Sequence, residues 1–242
     1  MAVITEKREA LDYFLKRLLD SEVKDYIAKI LLFGSVASGN ATASSDIDVF
    51  VFTLGETEKV RMTCADASFE AVLEYGESVE PIVYPASEFR YPTSDFVSSA
   101  VQRGKEVYSM KEEEISRKEA QNYLDLAGDY LSQARNSMSR HDLRLGVDGA
   151  YNACELAIKG LLLLRPGEIP KTHGGIVQKF GEIYVKEGPL PREIGREIRL
   201  GLELRNRARY DFLARIMSDD ARKLAGLASI LINTLDGELR SN

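Results

Sequence analysis

Residues 32–51 constrain this chain more than any other segment. They read Leu32-Phe33-Gly34-Ser35-Val36-Ala37-Ser38-Gly39, then a short run of small and polar residues, then Ser45-Asp46-Ile47-Asp48-Val49-Phe50-Val51. The apolar run 30–33 predicts a strand that stops at Gly34, where the missing Cβ lets the backbone approach a phosphate. Ser35 brings a hydroxyl and a main-chain N–H to the start of a helical turn, an anion site by geometry and dipole. Gly39 then turns the chain. Asp46 and Asp48 stand two apart on a strand predicted over 46–52, so their carboxylates face the same side. Side by side they repel each other unless a cation lies between them. For carboxylate and phosphate oxygens that cation is a hard divalent ion such as Mg²⁺.

Around this segment the pattern is that of a small α/β layer. An amphipathic helix is predicted from Thr5 to about Leu19, with Ala10, Leu11, Phe14, Leu15 and Leu18 on its apolar face. A second helix is expected over 56–75, with Cys64, Ala67, Phe69, Val72 and Leu73 available for packing. Residues 79–84 form a third strand at an edge or a bulge, because Pro81 cannot donate to a ladder. A helix over 96–103 and a short strand over 106–108 follow. From there on the texture changes to helix almost throughout, near 114–139, 142–164, 172–187, 192–212 and 218–237, a bundle with breaks at Arg165-Pro166-Gly167 and Gly188-Pro189-Leu190-Pro191. The charged stretch Met110-Lys111-Glu112-Glu113-Glu114 has no apolar period and reads as a linker. The expected fold is therefore α+β: a small mixed sheet with flanking helices over 1–112, then an all-α bundle over 113–242.

Charge divides along the same line. The first 112 residues carry 12 basic and 19 acidic side chains, against 20 and 19 in the remainder. An acidic first half suits a metal site better than a nucleic-acid platform. No apolar run approaches the ~20 residues of a membrane-spanning helix. The first eight residues mix acidic and basic side chains where a signal peptide would be apolar, so a cytoplasmic protein is expected, with Cys64 and Cys154 as reduced thiols.

The Gly-Ser and Ser-Asp-x-Asp segment resembles the signature of the DNA polymerase β-like nucleotidyltransferases, specifically their minimal (MNT) branch, and the resemblance covers about residues 5–110. It implies Gly34 and Ser35 on the triphosphate and Asp46 and Asp48 as metal ligands. The implied reaction moves a nucleotidyl group, AMP from ATP or the equivalent from another nucleoside triphosphate, to an acceptor hydroxyl with Mg²⁺. The superfamily adds a third carboxylate from a later strand. Glu80 is the first candidate for it and Glu77 the second. If Glu80 is instead a plain surface residue, the domain binds nucleotide with little turnover.

The second half resembles the HEPN domain over about 115–238, carried by Tyr151-Asn152-Ala153-Cys154-Glu155 and by Leu204-Arg205-Asn206-Arg207-Ala208-Arg209-Tyr210-Asp211-Phe212. HEPN ribonucleases place an Arg, four intervening residues and then a His. Here Arg205 matches, but Tyr210 stands in the His position, and a phenol with an ordinary pKa near 10 is a poor base at neutral pH. The position two residues further on, a tyrosine that MNT partners modify in toxin–antitoxin pairs, is Phe212. The arginines of 192–209 are expected to form a solvated or dimer-contact face with Glu193, Glu197 and Glu203 rather than a phosphate-binding stripe. Glu155 and Lys159 form a favourable i,i+4 pair, and His173 is read as a structural residue at a helix start. Apolar faces at Leu161–Leu164 and Leu227–Leu235 predict a homodimer through the helical domain. Function is thus expected to be nucleotidyl transfer, with a toxin–antitoxin-type MNT–HEPN unit or a non-catalytic nucleotide-binding regulator as the alternatives.

Overall fold

The computed structural model describes residues 2–167, 169–170 and 172–241. It divides into two compact units, one up to Ile115 and one from Ser116. The first unit runs α1 (Ala2–Leu19), β1 (Ile27–Leu32), α2 (Gly34–Ser38), β2 (Ile47–Thr53), α3 (Thr57–Tyr75), β3 (Val79–Pro85), α4 (Ala86–Arg90), α5 (Asp95–Arg103) and β4 (Lys105–Ser109). The four strands form one mixed sheet in the order β3-β2-β1-β4, with β1 antiparallel to both neighbours and β2 parallel to β3.

β1 and β2 are apolar nearly without a break because helices cover both faces of the sheet. Ile30, Leu32, Ile47, Val49 and Val51 pack under α1 and α3. The alternate positions Leu31, Phe50 and Phe52 face Ala86, Val97, Ala100 and Ile115. On that second face Phe50 meets Phe33 at 4.4 Å between ring centroids and stacks on Tyr84 at 5.7 Å. β3 lies at the edge of the sheet, where the missing N–H of Pro81 is tolerated.

Two expectations need correcting here. α3 turns Val60, Cys64, Ala67 and Ala71 inward, whereas Phe69 and Leu73 are 65% and 68% exposed and Val72 is exposed as well. The small residues at i, i+4, i+7 and i+11 allow close approach of α1, and the larger ones fall on the opposite side. The charged stretch read as a linker ends one residue before the division between the units, but its second part is helical rather than irregular. Glu112, Glu113 and Glu114 form the acidic first turn of the next helix, where negative charge favours the dipole, and Ile115 is buried in the first unit's core.

That helix, α6 (Glu112–Ser139), runs through the boundary between the units. α7 (Leu143–Leu163), α8 (His173–Phe180), a π-helical turn over Gly181–Lys186, α9 (Arg192–Tyr210) and α10 (Ser218–Ser241) complete the second unit. α7 is buried over much of its surface, and its charged residues Arg144, Asp148, Glu155 and Lys159 are held in ion pairs and hydrogen bonds. Leu161, Leu162, Leu227, Leu231 and Leu235 are all buried inside this bundle. The leucine faces that suggested a homodimer are thus covered by the chain itself. Cys64 and Cys154 are buried and form no disulfide, and burial pushes both thiols up, Cys64 to about 12.

Candidate functional site

The site of the first unit begins where β1 ends. The Phe33 amide donates to the Asp48 carbonyl at 3.0 Å, which ties the start of α2 to β2. Gly34 follows with φ +69°, in the left-handed region that costs any L side chain. A Cβ built on Gly34 would lie 2.2 Å from Asp48 Oδ2. The glycine is therefore required twice, by its backbone conformation and by the carboxylate beside it. Ser35 lies in the first turn of α2, a turn that has no side-chain cap, since Phe33 occupies the N-cap position. Gly39, at φ +77°, closes the turn, and the 5-residue helix ends there.

The three acidic side chains come from two neighbouring strands. Parallel pairing of β2 with β3 sets Asp48 opposite Glu80, and Asp46 leads into β2 one residue ahead of Ile47. Asp48 is half-buried and its carboxyl is pushed above the ordinary range, first by burial and then by the charges of Asp46 and Glu80. The structure thus brings Asp46, Asp48 and Glu80 into one electrostatic group beside Gly34. Glu80 Oε1 accepts from Ser78 Oγ at 2.6 Å. Among the described residues no three His, Cys, Asp or Glu side chains form a ready-made metal cage. The donor set nevertheless fits a divalent cation: a carboxylate whose charge is disfavoured by burial and by its neighbours is stabilised by a positive ion, and Gly34, having no Cβ, lets the Asp48 carboxylate lie against the backbone at the start of α2. Glu77, the second candidate for the third acid, is committed elsewhere. It pairs with the ammonium of Lys7, which is fully buried.

In the second unit Arg205 and Tyr210 part company. Arg205 is 7% exposed, with its guanidinium 5.9 Å from the Tyr151 ring centroid and its Nε 3.4 Å from Asp148 Oδ1. That Nε makes no hydrogen bond. Asp148 is instead gripped by the fork of Arg209, with Nη2 donating to Oδ2 at 2.9 Å. Tyr210 is 74% exposed and Phe212 more so. The arginines do not make one stripe. Arg205 and Arg209 face Asp148 on α7, while Arg196 and Arg207 line a groove between α9 and α10 together with Glu193, Glu197 and Glu203. Mixed charge of this kind matches a solvated face.

His173 does more than begin a helix. Thr172 caps α8, its Oγ1 accepting from the Gly175 amide at 3.1 Å. His173 Nδ1 contacts Glu155 Oε2, and Lys159 Nζ reaches Glu155 Oε1 at 3.0 Å. Burial opposes ionisation of Glu155, but the hydrogen bonds and charges of His173 and Lys159 outweigh it and hold the carboxyl below the ordinary range. A carboxylate with a lowered folded pKa stabilises the fold above its unfolded pKa, and that contribution is lost as pH falls through the folded value. Glu155→Gln is accordingly expected to cost about 1–3 kcal/mol at neutral pH and almost nothing at acid pH. Urea unfolding followed by circular dichroism at both pH values checks this, and an equal loss at both would refute it.

Two further residues escaped the sequence analysis. Lys7 lies on the apolar stripe of α1, at helical spacing from Leu11, Phe14 and Leu18. A lysine on a buried stripe is the signal that could have found it. Arg144 donates to the carbonyls of Ala208, Asp211 and Ala214 at 2.7, 2.9 and 2.8 Å, closing the C-terminal end of α9. Nothing local in the sequence announces that contact.

Comparison with known proteins follows the two units. A nucleotidyltransferase domain family matches residues 11–108, and the HEPN domain family matches residues 120–238. A protein of Methanocaldococcus jannaschii, named as a candidate toxin, is 34% identical over 94 residues, which span 39% of this chain and 69% of that one. Among the described residues no helix is long and apolar enough to cross a membrane.

Proposed function

The chain belongs to the nucleotidyltransferase-domain proteins that also carry a HEPN domain, and on that premise we propose that it transfers a nucleotidyl group from ATP to an acceptor hydroxyl. One observation carries the proposal: the charges of Asp46 and Glu80 bear on Asp48, whose carboxylate lies directly against Gly34 at the start of α2. In the reaction the acceptor oxygen bonds to the α-phosphorus, the bond from that phosphorus to the bridging oxygen breaks, pyrophosphate leaves and the acceptor proton is released.

Each residue of the group has a part. Gly34 lets the backbone come close to the triphosphate, and the amides of the uncapped first turn of α2, with the Ser35 hydroxyl, bind its oxygens. Asp46 and Asp48 hold the divalent ion, with Glu80 as the third carboxylate. When bound, Mg²⁺ neutralises phosphate charge and stabilises the attacking and leaving oxygens. Glu80 is exposed, unlike half-buried Asp48, and is suited to take up the acceptor proton. A protein that spends ATP in this way belongs in the cytoplasm. Its solution mass would show whether it is a dimer, for which surfaces other than the covered leucines must serve.

A toxin–antitoxin-type unit is the second reading, favoured by the name of the Methanocaldococcus relative. RNA cleavage by this chain is disfavoured by the phenol at position 210 and by the burial of Arg205 against Asp148.

The test is incubation with Mg²⁺ and α-labelled ATP, alone and with cell extract, beside an Asp46→Ala/Asp48→Ala control. Label on the chain itself, absent from the control, supports transfer in cis, and peptide analysis would show whether exposed Tyr210 takes it. Label on an extract component means an external acceptor. Binding without label would indicate a non-catalytic regulator, and no binding would end the transferase proposal.

A further inference from the structure

Lys7 lies outside the span matched by the nucleotidyltransferase family, and no metal or phosphate role falls to it. Its side chain is nonetheless fully buried. Burying an ammonium is costly unless it is paired and hydrogen-bonded. Both partners of Lys7 are informative. Its Nζ donates to the Ser45 carbonyl at 2.6 Å and pairs with the Glu77 carboxylate, itself largely buried.

Ser45 immediately precedes Asp46. Glu77 immediately precedes Ser78, and Ser78 touches Glu80 and the backbone of Ile47, between Asp46 and Asp48. Its carbonyl accepts from the Ile47 amide at 2.9 Å, and its hydroxyl donates to Glu80 at 2.6 Å. One ammonium from α1 therefore fastens the segment that carries Asp46 into β2 to the segment that leads into β3 and Glu80. The Ser45 turn is also internally braced, with the Thr42 amide donating to Ser45 Oγ at 2.9 Å and the Ser45 amide to the Thr42 carbonyl at 3.1 Å. A brace of that kind sets the direction in which Asp46 leaves the turn.

We propose that Lys7 is a positioning residue for the acidic group, fixing Asp46 through the Ser45 carbonyl and Glu80 through the Glu77–Ser78 link. The proposal rests on the reading of Asp46, Asp48 and Glu80 as a divalent-cation site. It also assigns Glu77 as the counter-ion of Lys7 and removes it from the set of metal ligands.

Two variants separate positioning from mere stability. Lys7→Met removes the donor and leaves Glu77 buried without its partner, so it is expected to lose stability. Lys7→Met/Glu77→Gln removes both charges and is expected to recover most of that stability, while the Ser45 carbonyl still lacks its donor. Mn²⁺ binding in the presence of a non-hydrolysable ATP analogue, measured by electron paramagnetic resonance, is the readout. Both variants are expected to bind Mn²⁺ on the order of 10–100-fold more weakly than the wild type, the usual effect of losing a residue that orients a ligand. Recovery of wild-type Mn²⁺ affinity in the double variant would overturn the proposal, because Lys7 would then act only by stabilising the fold. A wild type that binds Mn²⁺ but transfers no label refutes turnover and leaves the Lys7 comparison intact. A wild type that binds no Mn²⁺ refutes the cation site and the positioning role with it.

Discussion

Asp48→Asn is expected to abolish nucleotidyl transfer while making the ligand-free protein more stable. The two effects have one cause. In the folded chain Asp48 is half-buried and faces the charges of Asp46 and Glu80, so its carboxyl is pushed above the ordinary range. An acid with a raised folded pKa destabilises the fold at any pH where the unfolded chain would ionise it, and an amide removes that penalty. The same substitution takes away a cation ligand. A cation at the reacting phosphate is worth several kcal/mol of transition-state stabilisation, and each ~1.4 kcal/mol is a factor of ten. Transfer should therefore fall roughly a thousandfold or more. Thermal melts provide the second measurement. Mg²⁺ with an ATP analogue should raise the melting temperature of the wild type and leave Asp48→Asn unmoved. A variant that melts lower than the wild type without ligand would contradict the charge argument, and one that keeps its activity would remove Asp48 from the site.

Gly34→Ala should be nearly as damaging, by another route. The residue sits at φ +69°, where an Ala costs roughly 1–2 kcal/mol. Its new Cβ would lie 2.2 Å from Asp48 Oδ2, so the carboxylate must be displaced. A displacement of about 1 Å at a reacting centre can cost on the order of 100-fold in rate, and that is the expected minimum loss. Gly39 provides the control. It too has a positive φ, of +77°, but nothing lies within 4 Å of the Cβ it would acquire. Gly39→Ala should therefore lose comparable stability and keep most of the ability to bind an ATP analogue, as read by calorimetry. Equal loss of binding in the two variants would mean that the contact with Asp48 is unimportant.

Much of this was legible before the fold was known, because the informative signals are local. The apolar runs of β1 and β2, the stripe of α1, the Pro-Gly breaks between the later helices and the Gly34–Asp48 segment all act over a few residues. α4 left no signal, since five residues, Ala86–Arg90, are too few to display a period. On α3 Cys64 and Ala67 pack inward as their positions predict, whereas Phe69, Val72 and Leu73, apolar enough to suggest burial, fall on the exposed side because the small residues fit against α1. Glu80 could be named but not placed: its position opposite Asp48 depends on the parallel pairing of β2 and β3, across the whole of α3. The partners of Lys7, Arg144 and His173 are likewise set by packing between distant segments. A charged residue on an apolar stripe hints that a partner exists without saying which.

The strand order has a consequence for how the first unit comes into being. β1 is made early, yet one of its two neighbours is β4, joined through Lys29 opposite Ser109 and Leu32 opposite Lys105. During synthesis on the ribosome β1 must wait, with one hydrogen-bonding edge open, until the whole of β4 has left the exit tunnel. An apolar strand with an open edge is a template for pairing with another chain. The nascent protein is thus most exposed to misassembly while β4 is still unmade, and a chain that stalls short of it would carry every residue of the acidic group on a three-stranded sheet with β1 at its edge.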